Sequence, residues 1–202
     1  MATQEIAASS QEEHPTSLGL DSVKLAMWGF LGSECLFFGS LISTYLLYRN
    51  RVLDGPKPSD VYDIPFTSVS SFVLLMSSLT MVLALAAIQR GDHRALRLWL
   101  FATAFLGMVF IGGQIYEFTT FVEEGLTLST STFGSSFFVL TGFHGAHVTI
   151  GILMLLSLAS MSFLGRLPQD QARKVELVGL YWHFVDVVWI VIFTVVYLIP
   201  TN

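Results

Sequence analysis

The sequence predicts an all-α integral membrane protein, a bundle of five transmembrane helices, and three observations predict it. Of 202 residues, 53% are hydrophobic and only 12% are charged, with a mean hydropathy of +0.65. A soluble domain carries about twice that charged fraction. Five apolar stretches supply the roughly 20 helical residues needed to cross a hydrocarbon core of about 30 Å. No alternating ten-residue segments of the membrane-barrel kind occur. Lipid leaves backbone N–H and C=O groups unsatisfied unless they pair internally, so the spans are helices.

Taken in order, residues 1–21 form a polar, acidic arm without the basic start and apolar centre of a secretory signal, and His14 in it reads as solvated. The five-helix domain occupies 22–202, with spans at about 25–48, 66–88, 98–122, 133–164 and 175–199. Breakers separate them: Asp54-Gly55-Pro56-Lys57-Pro58 and Pro65, Gly91-Asp92, Glu123-Glu124-Gly125, then Gly165 and Pro168. None of these connections is long enough for a second domain. No internal repeat marks the inverted halves of many transporters.

Charge narrows the class and orients the chain. A formal net charge of −5 with no basic stripe excludes nucleic acid as a partner. The one cysteine, Cys35, lies in an apolar run and reads as a small buried hydrophobe, with no disulfide or Cys-x-x-Cys motif. Lys24, Arg90, Arg94, Arg97, Arg166, Arg173 and Lys174 share one membrane side, against Arg49, Arg51 and Lys57 on the other. The excess of lysine and arginine predicts a cytoplasmic N-terminus and an outside C-terminus.

Glu34, Glu117, His144, His147, Glu176, His183 and Asp186 are the ionisable groups within or at the edge of the spans. A charged carboxylate deep in a span costs roughly 2.5–3.5 kcal/mol on insertion scales, so Glu34 and Asp186 must be neutral or face protein, water or a lipid headgroup. Glu176, Gly179, His183 and Asp186 form one stripe of the last helix, with a His183–Asp186 pair allowed by i, i+3 spacing. His144 and His147 are also i, i+3 and are flanked by Gly142, Gly145 and Gly151, which predicts a close interhelical seam. Glu34, among small residues and aromatics, reads either as a proton carrier or as a neutral hydrogen-bonding acid. Tyr181 and Tyr197 suit interfacial aromatic belts, whereas Trp189 is too deep for one and reads as packing.

A shared metal site is disfavoured by depth. Di-iron bundles use a repeated Glu-x-x-His, which does not occur here. Glu117, near the outer end of its helix, and His183, nearer the inner end of its own, should differ by roughly 15 Å or more in depth. A haem between His147 and His183 is not excluded by depth. Structural interhelical hydrogen bonding is the plainer reading of all these residues.

Four segments carry a family resemblance: Ser33-Glu34-Cys35-Leu36-Phe37-Phe38-Gly39, Gly113-Gln114-Ile115-Tyr116-Glu117-Phe118, Phe137 to Val148, and Tyr181-Trp182-His183-Phe184-Val185-Asp186-Val187-Val188-Trp189. In order and helix by helix they resemble subunit III of haem-copper cytochrome c oxidases, over about residues 22–199. The resemblance implies a non-catalytic subunit of the bacterial cell membrane, without cofactor of its own, with haem and copper in partner subunits I and II. Its implied partners are subunit I as main contact, subunit II, a small subunit IV and bound phospholipid. It places Glu34 at a lipid pocket beside subunit I and makes Glu117, His144, His147, His183 and Asp186 a structural polar network. Two N-terminal helices of the longer family pattern are missing. Quinol oxidases have a very similar subunit III; Phe143 and Val185 resemble the cytochrome c branch more closely. A free-standing proton-coupled transporter using Glu34 and Asp186 is the alternative from another class, and a haem or metal enzyme is a third.

Overall fold

Each helix of the computed structural model runs from a local start signal to a local stop signal. Residues 22–49, 64–129 and 131–199 are described; the polar arm and the Asp54–Pro58 breaker lie outside them. Helix α1 covers Ser22–Tyr48, α2 Ile64–Gln89, α3 His93–Glu123 and α4 Thr132–Phe163. A 3₁₀ turn at Gln169–Gln171 leads into α5, Ala172–Phe193, which finishes as a π-helical turn at Thr194–Leu198. All five are long and apolar enough to span a membrane. No strand occurs among the described residues.

Three helices end alike. Gly91, Gly125 and Gly165 have φ of 73°, 89° and 68°, a left-handed conformation that glycine adopts without a Cβ penalty. Each glycine closes a paired-bond stop in which the following N–H reaches five residues back: Asp92 to Ala87 O at 3.0 Å, Leu126 to Phe121 O at 2.9 Å, and Arg166 to Met161 O at 2.9 Å. Two helices begin on side-chain caps. The Asp92 carboxylate accepts from the N–H groups of Arg94 and Ala95 at 3.1 and 3.0 Å, and the Ser131 hydroxyl accepts from Gly134 N–H at 3.0 Å. The Asp92 cap starts α3 at His93, ahead of the expected 98. Pro65 lies inside the first turn of α2 rather than before it, where its missing N–H would have no helical partner anyway.

Helices α2, α3, α4 and α5 close a ring, each packed on the next and α5 back on α2, while α1 lies outside against α4 and α5. Trp182 of α5 fills the ring. A Cβ on Gly107 of α3 would sit 2.7 Å from its indole, as would one on Gly151 of α4. Both positions therefore require glycine for helix approach around the indole. The Trp182 N–H donates to Ser77 Oγ at 2.9 Å, and Trp189 N–H donates to Ser71 Oγ at 2.8 Å. Each buried indole thus has a hydroxyl acceptor on α2, and Trp189 is packing as expected.

The basic residues gather at one end of the bundle. There Lys24 pairs with Glu176 at 2.7 Å, Gln169 Nε2 donates to Gln89 O at 2.6 Å, and the Arg97 guanidinium lies 4.9 Å from the Phe163 ring centre. At the opposite end the Arg49 guanidinium donates to Ile199 O at 2.9 Å.

Three expectations are corrected. Cys35 faces outward from α1 rather than into the bundle. Tyr181 and Tyr197 are 4% and 6% exposed, so neither is an interfacial belt residue. Position along the helix suited a belt, but both side chains point inward. Tyr181 Oη donates to His147 O at 3.0 Å, and Tyr197 stacks on Phe193.

Candidate functional site

The polar groups inside the bundle divide into separate seams. At the α1–α4 seam, His147 Nε2 lies 3.2 Å from Glu34 Oε2, and its Nδ1 lies 2.7 Å from Phe143 O. A carbonyl can only accept, so Nδ1 carries a hydrogen. The Nε2–Oε2 contact then needs one proton between two acceptors. That proton sits either on His147, making an imidazolium–carboxylate pair, or on Glu34, making an acid that donates to a neutral ring. Both arrangements are neutral overall, which meets the cost of charge at this depth. Phe37, Phe38 and Phe143 enclose the pair, with Phe38 edge-on to the imidazole at 5.0 Å and Phe37 edge-on to Phe143 at 5.2 Å. Side-chain exposure of 15% for His147 and 17% for Glu34 leaves the pair reachable from outside the bundle.

At the α2–α5 seam, Ser78 Oγ lies 2.9 Å from His183 Nδ1 and donates to Asp186 Oδ2. The i, i+3 pair expected on α5 is therefore bridged by a hydroxyl from another helix. The second oxygen of Asp186 is buried without a hydrogen-bond partner. At the far end of the ring, Thr67 Oγ1 donates to Glu117 Oε1 at 2.7 Å, and Tyr197 lies in hydrogen-bonding reach of the same carboxylate. Thr67 and Ser78 are both on α2, which separates Glu117 from His183 by roughly 16 Å along the helix at 1.5 Å per residue.

His144 stands apart. It is fully buried, its ring stacks on Trp189 at 4.8 Å and meets Phe110 edge-on at 5.8 Å, and neither nitrogen has a hydrogen-bond partner. The close-approach seam predicted around it is real at two of the three glycines named. Gly145 faces the Gln114 amide, with 2.6 Å from an added Cβ to Oε1, and Gly151 faces Trp182; at Gly142 a Cβ would meet nothing. Gln114 in turn donates to Thr141 O at 2.8 Å.

The expected polar network of Glu117, His144, His147, His183 and Asp186 is thus local clusters at separate seams, with His144 in none of them. Glu34 is joined to His147 and to none of the others. Residues that sequence reasoning missed are the hydroxyls of α2: Thr67, Ser71, Ser77 and Ser78 serve Glu117, Trp189, Trp182 and the His183–Asp186 pair respectively. The signal was present, since Thr67, Ser71 and Ser78 recur at i, i+4 and i+11 in an otherwise apolar span. Among the described residues no three histidine, cysteine or carboxylate side chains converge as a ligand set. Both nitrogens of His147 are engaged in hydrogen-bonding contacts.

A bundle of five helices long and apolar enough to span a membrane, with ionisable side chains at its helix seams, defines a multi-pass membrane protein. The family model for cytochrome c oxidase subunit III matches residues 4–200. Cytochrome c oxidase subunit 3 of Bacillus sp. (strain PS3) is 39% identical over 196 residues, 97% of this chain and 94% of the relative. Quinol oxidase subunit 3 of Bacillus subtilis (strain 168) is 42% identical over 175 residues, 86% of this chain and 85% of the relative. A probable quinol oxidase subunit 3 of Staphylococcus saprophyticus is 41% identical over 177 residues, 87% of this chain and 88% of the relative. The chain belongs to the cytochrome c oxidase subunit III family. It is subunit III of a haem-copper terminal oxidase and a multi-pass protein of the bacterial plasma membrane.

Proposed function

We propose that this chain is an accessory, non-catalytic subunit. In this reading it carries no cofactor, while subunits I and II hold the haem and copper that reduce dioxygen. Subunit I is the main contact, subunit II and a small subunit IV complete the surroundings, and phospholipid fills the outer grooves. The basic end of the bundle faces the cytoplasm, in keeping with the excess of lysine and arginine there.

The Glu34–His147 pair carries the proposal. It engages both imidazole nitrogens, holds one shared proton and stays partly reachable from outside the bundle. Such a pair suits a site that meets lipid or a neighbouring subunit and conditions protons there. It does not suit a ligand sphere, which needs a free lone pair. Replacing Glu34 by Ala in the assembled oxidase is expected to leave haem content unchanged while altering proton pumping or the lifetime of activity during turnover. Loss of haem on that replacement would overturn the assignment.

The donor to the complex is read as cytochrome c, on Phe143 and Val185. Relatives named for quinol oxidases match equally well, and they make quinol the second reading. Turnover of the purified complex with reduced cytochrome c and with a quinol, compared side by side, decides between them.

A further inference from the structure

One layer of the ring takes a side chain from each of its four helices: Ser71 from α2, Phe110 from α3, His144 from α4 and Trp189 from α5. The imidazole stacks on the indole at 4.8 Å and stands edge-on to Phe110 at 5.8 Å, and the indole N–H donates to Ser71 Oγ at 2.8 Å. His144 is 0% exposed, and neither of its nitrogens has a hydrogen-bond partner in the protein. It lies roughly 18 Å from the start of α4 and roughly 29 Å from its end at 1.5 Å per residue, far from either membrane surface.

The protonation state does not alter what this ring requires. A neutral imidazole carries one N–H and one lone pair in either tautomer, and an imidazolium carries two N–H groups. In every state at least one N–H is sealed inside the ring of helices with no described side chain or carbonyl to accept it. A buried donor without a partner forfeits its hydration, and in folded proteins such groups are commonly met by ordered water. Phe110 offers only a weak N–H···π contact in its place. Sites that hold water are polar, whereas apolar ones stay dry. Polar atoms with capacity to spare stand on either side of His144 along the bundle. Ser71 Oγ donates to Thr67 O at 2.7 Å and accepts from Trp189, which leaves it one lone pair. Asp186, one turn before Trp189 on α5, keeps Oδ1 buried without a partner. Water both donates and accepts, so it serves that oxygen whether or not the oxygen carries a proton.

We infer that the interior of the four-helix ring is a binding site for ordered water, held by the ring N–H of His144, with the spare capacity at Ser71 Oγ and Asp186 Oδ1 supplying further partners. Such water gives α4 a hydrogen-bonded tie to its neighbours at a layer where the protein's own atoms provide only ring packing. The inference goes beyond the accessory-subunit reading and does not depend on it.

Water-edited solid-state NMR of the full chain in lipid bilayers, with isotope-labelled nitrogen in the rings of its five histidines, tests this directly. His93, half-buried at the basic end, is the positive control, and His144→Gln identifies the His144 signal by its loss. The expected result is transfer of water polarisation to the His144 ring N–H in the native chain. Thermal midpoints give a second reading. His144→Leu, apolar and of similar size, should lower the midpoint by about 2–4 °C, the shift of one lost hydrogen-bonded group in a chain of this length. His144→Gln keeps a donor and an acceptor and should recover at least half of that loss. No transfer to His144 while His93 shows it would overturn the inference. So would an unchanged or raised midpoint for His144→Leu, the mark of an N–H left dry or turned on Phe110, and so would equal losses for the two variants, the mark of packing alone.

Discussion

The four-helix ring and α1 are held in different ways. Between 33% and 44% of the most apolar window of each ring helix is buried, against 11% for α1. The ring is fixed by shape: two indoles, each seated by a serine, with Gly107 and Gly151 cut to fit Trp182. Helix α1 is fixed at a few points, through Glu34 to His147, Lys24 to Glu176, Arg49 to Ile199 O, and the packing of Phe38 and Tyr45. In lipid, apolar burial gives helices no hydrophobic drive to associate, so packing and hydrogen bonds decide what stays together. A helix with little packing therefore depends on its polar contacts far more than a ring helix does.

The largest effect should come from the ring. Trp182→Ala removes a side chain buried on all sides and leaves Ser77 without its donor, so we expect a loss of about 3–5 kcal/mol, comparable with large-to-small changes in other cores. Denaturation of the purified protein in detergent, followed by its tryptophan emission, measures this. Gly151→Ala should cost about 1–3 kcal/mol by overpacking against the same indole. At the other attachment, His147→Leu should leave the ring's denaturation midpoint nearly unchanged and free α1 by about 0.5–2 kcal/mol. Faster hydrogen exchange confined to α1 would show it. A global loss of stability from His147→Leu as large as that from Trp182→Ala would erase the distinction between the two regions.

The parts legible in the sequence were those fixed by short-range chemistry. Helix ends followed Gly91, Gly125 and Gly165, because a left-handed stop needs no information from elsewhere in the chain. The separation of Glu117 from His183 along the bundle followed from counting residues. The direction in which a side chain points across a seam did not. Tyr181 and Tyr197 have belt depth but interior direction, and His183 and Asp186 have pairing distance but meet through Ser78. Hydroxyls satisfy their own helix at no visible cost in sequence, as Ser33 does with Phe30 O and Ser40 with Phe37 O. Only the partner helix distinguishes those from Ser77 and Ser78.

Glycine sharpens the comparison further, because the same substitution should change sign between the two regions. An alanine methyl at Gly32 or Gly39 of α1 would meet nothing within 4 Å in this chain. Glycine inside a helix loses roughly 0.5–1 kcal/mol relative to alanine through backbone entropy. Gly32→Ala in the isolated chain is therefore expected to be neutral or to stabilise by up to about 1 kcal/mol, opposite to Gly151→Ala, as read by the two midpoints. A destabilisation by Gly32→Ala would mean that α1 is packed more closely than its exposure indicates.

The smallest effect belongs to the Asp92 cap, outside both regions. Hydrogen bonds from the backbone N–H of Ala95 and then Arg94 hold its carboxyl below the usual carboxylate range, helped by the nearby arginines and opposed by slight desolvation. A carboxyl lowered by folding stabilises the folded state fully above its unfolded pKa, and that contribution fades as pH falls through the folded value. Asp92→Ala should therefore lower Tm slightly near neutral pH, with the difference from the native chain shrinking in acid to what a neutral cap contributes, whereas Asp92→Asn keeps an accepting oxygen and should lose less. Midpoints measured between neutral pH and about pH 3 test this; a difference that persists unchanged into acid would show that the ionised carboxylate contributes nothing beyond its hydrogen bonds.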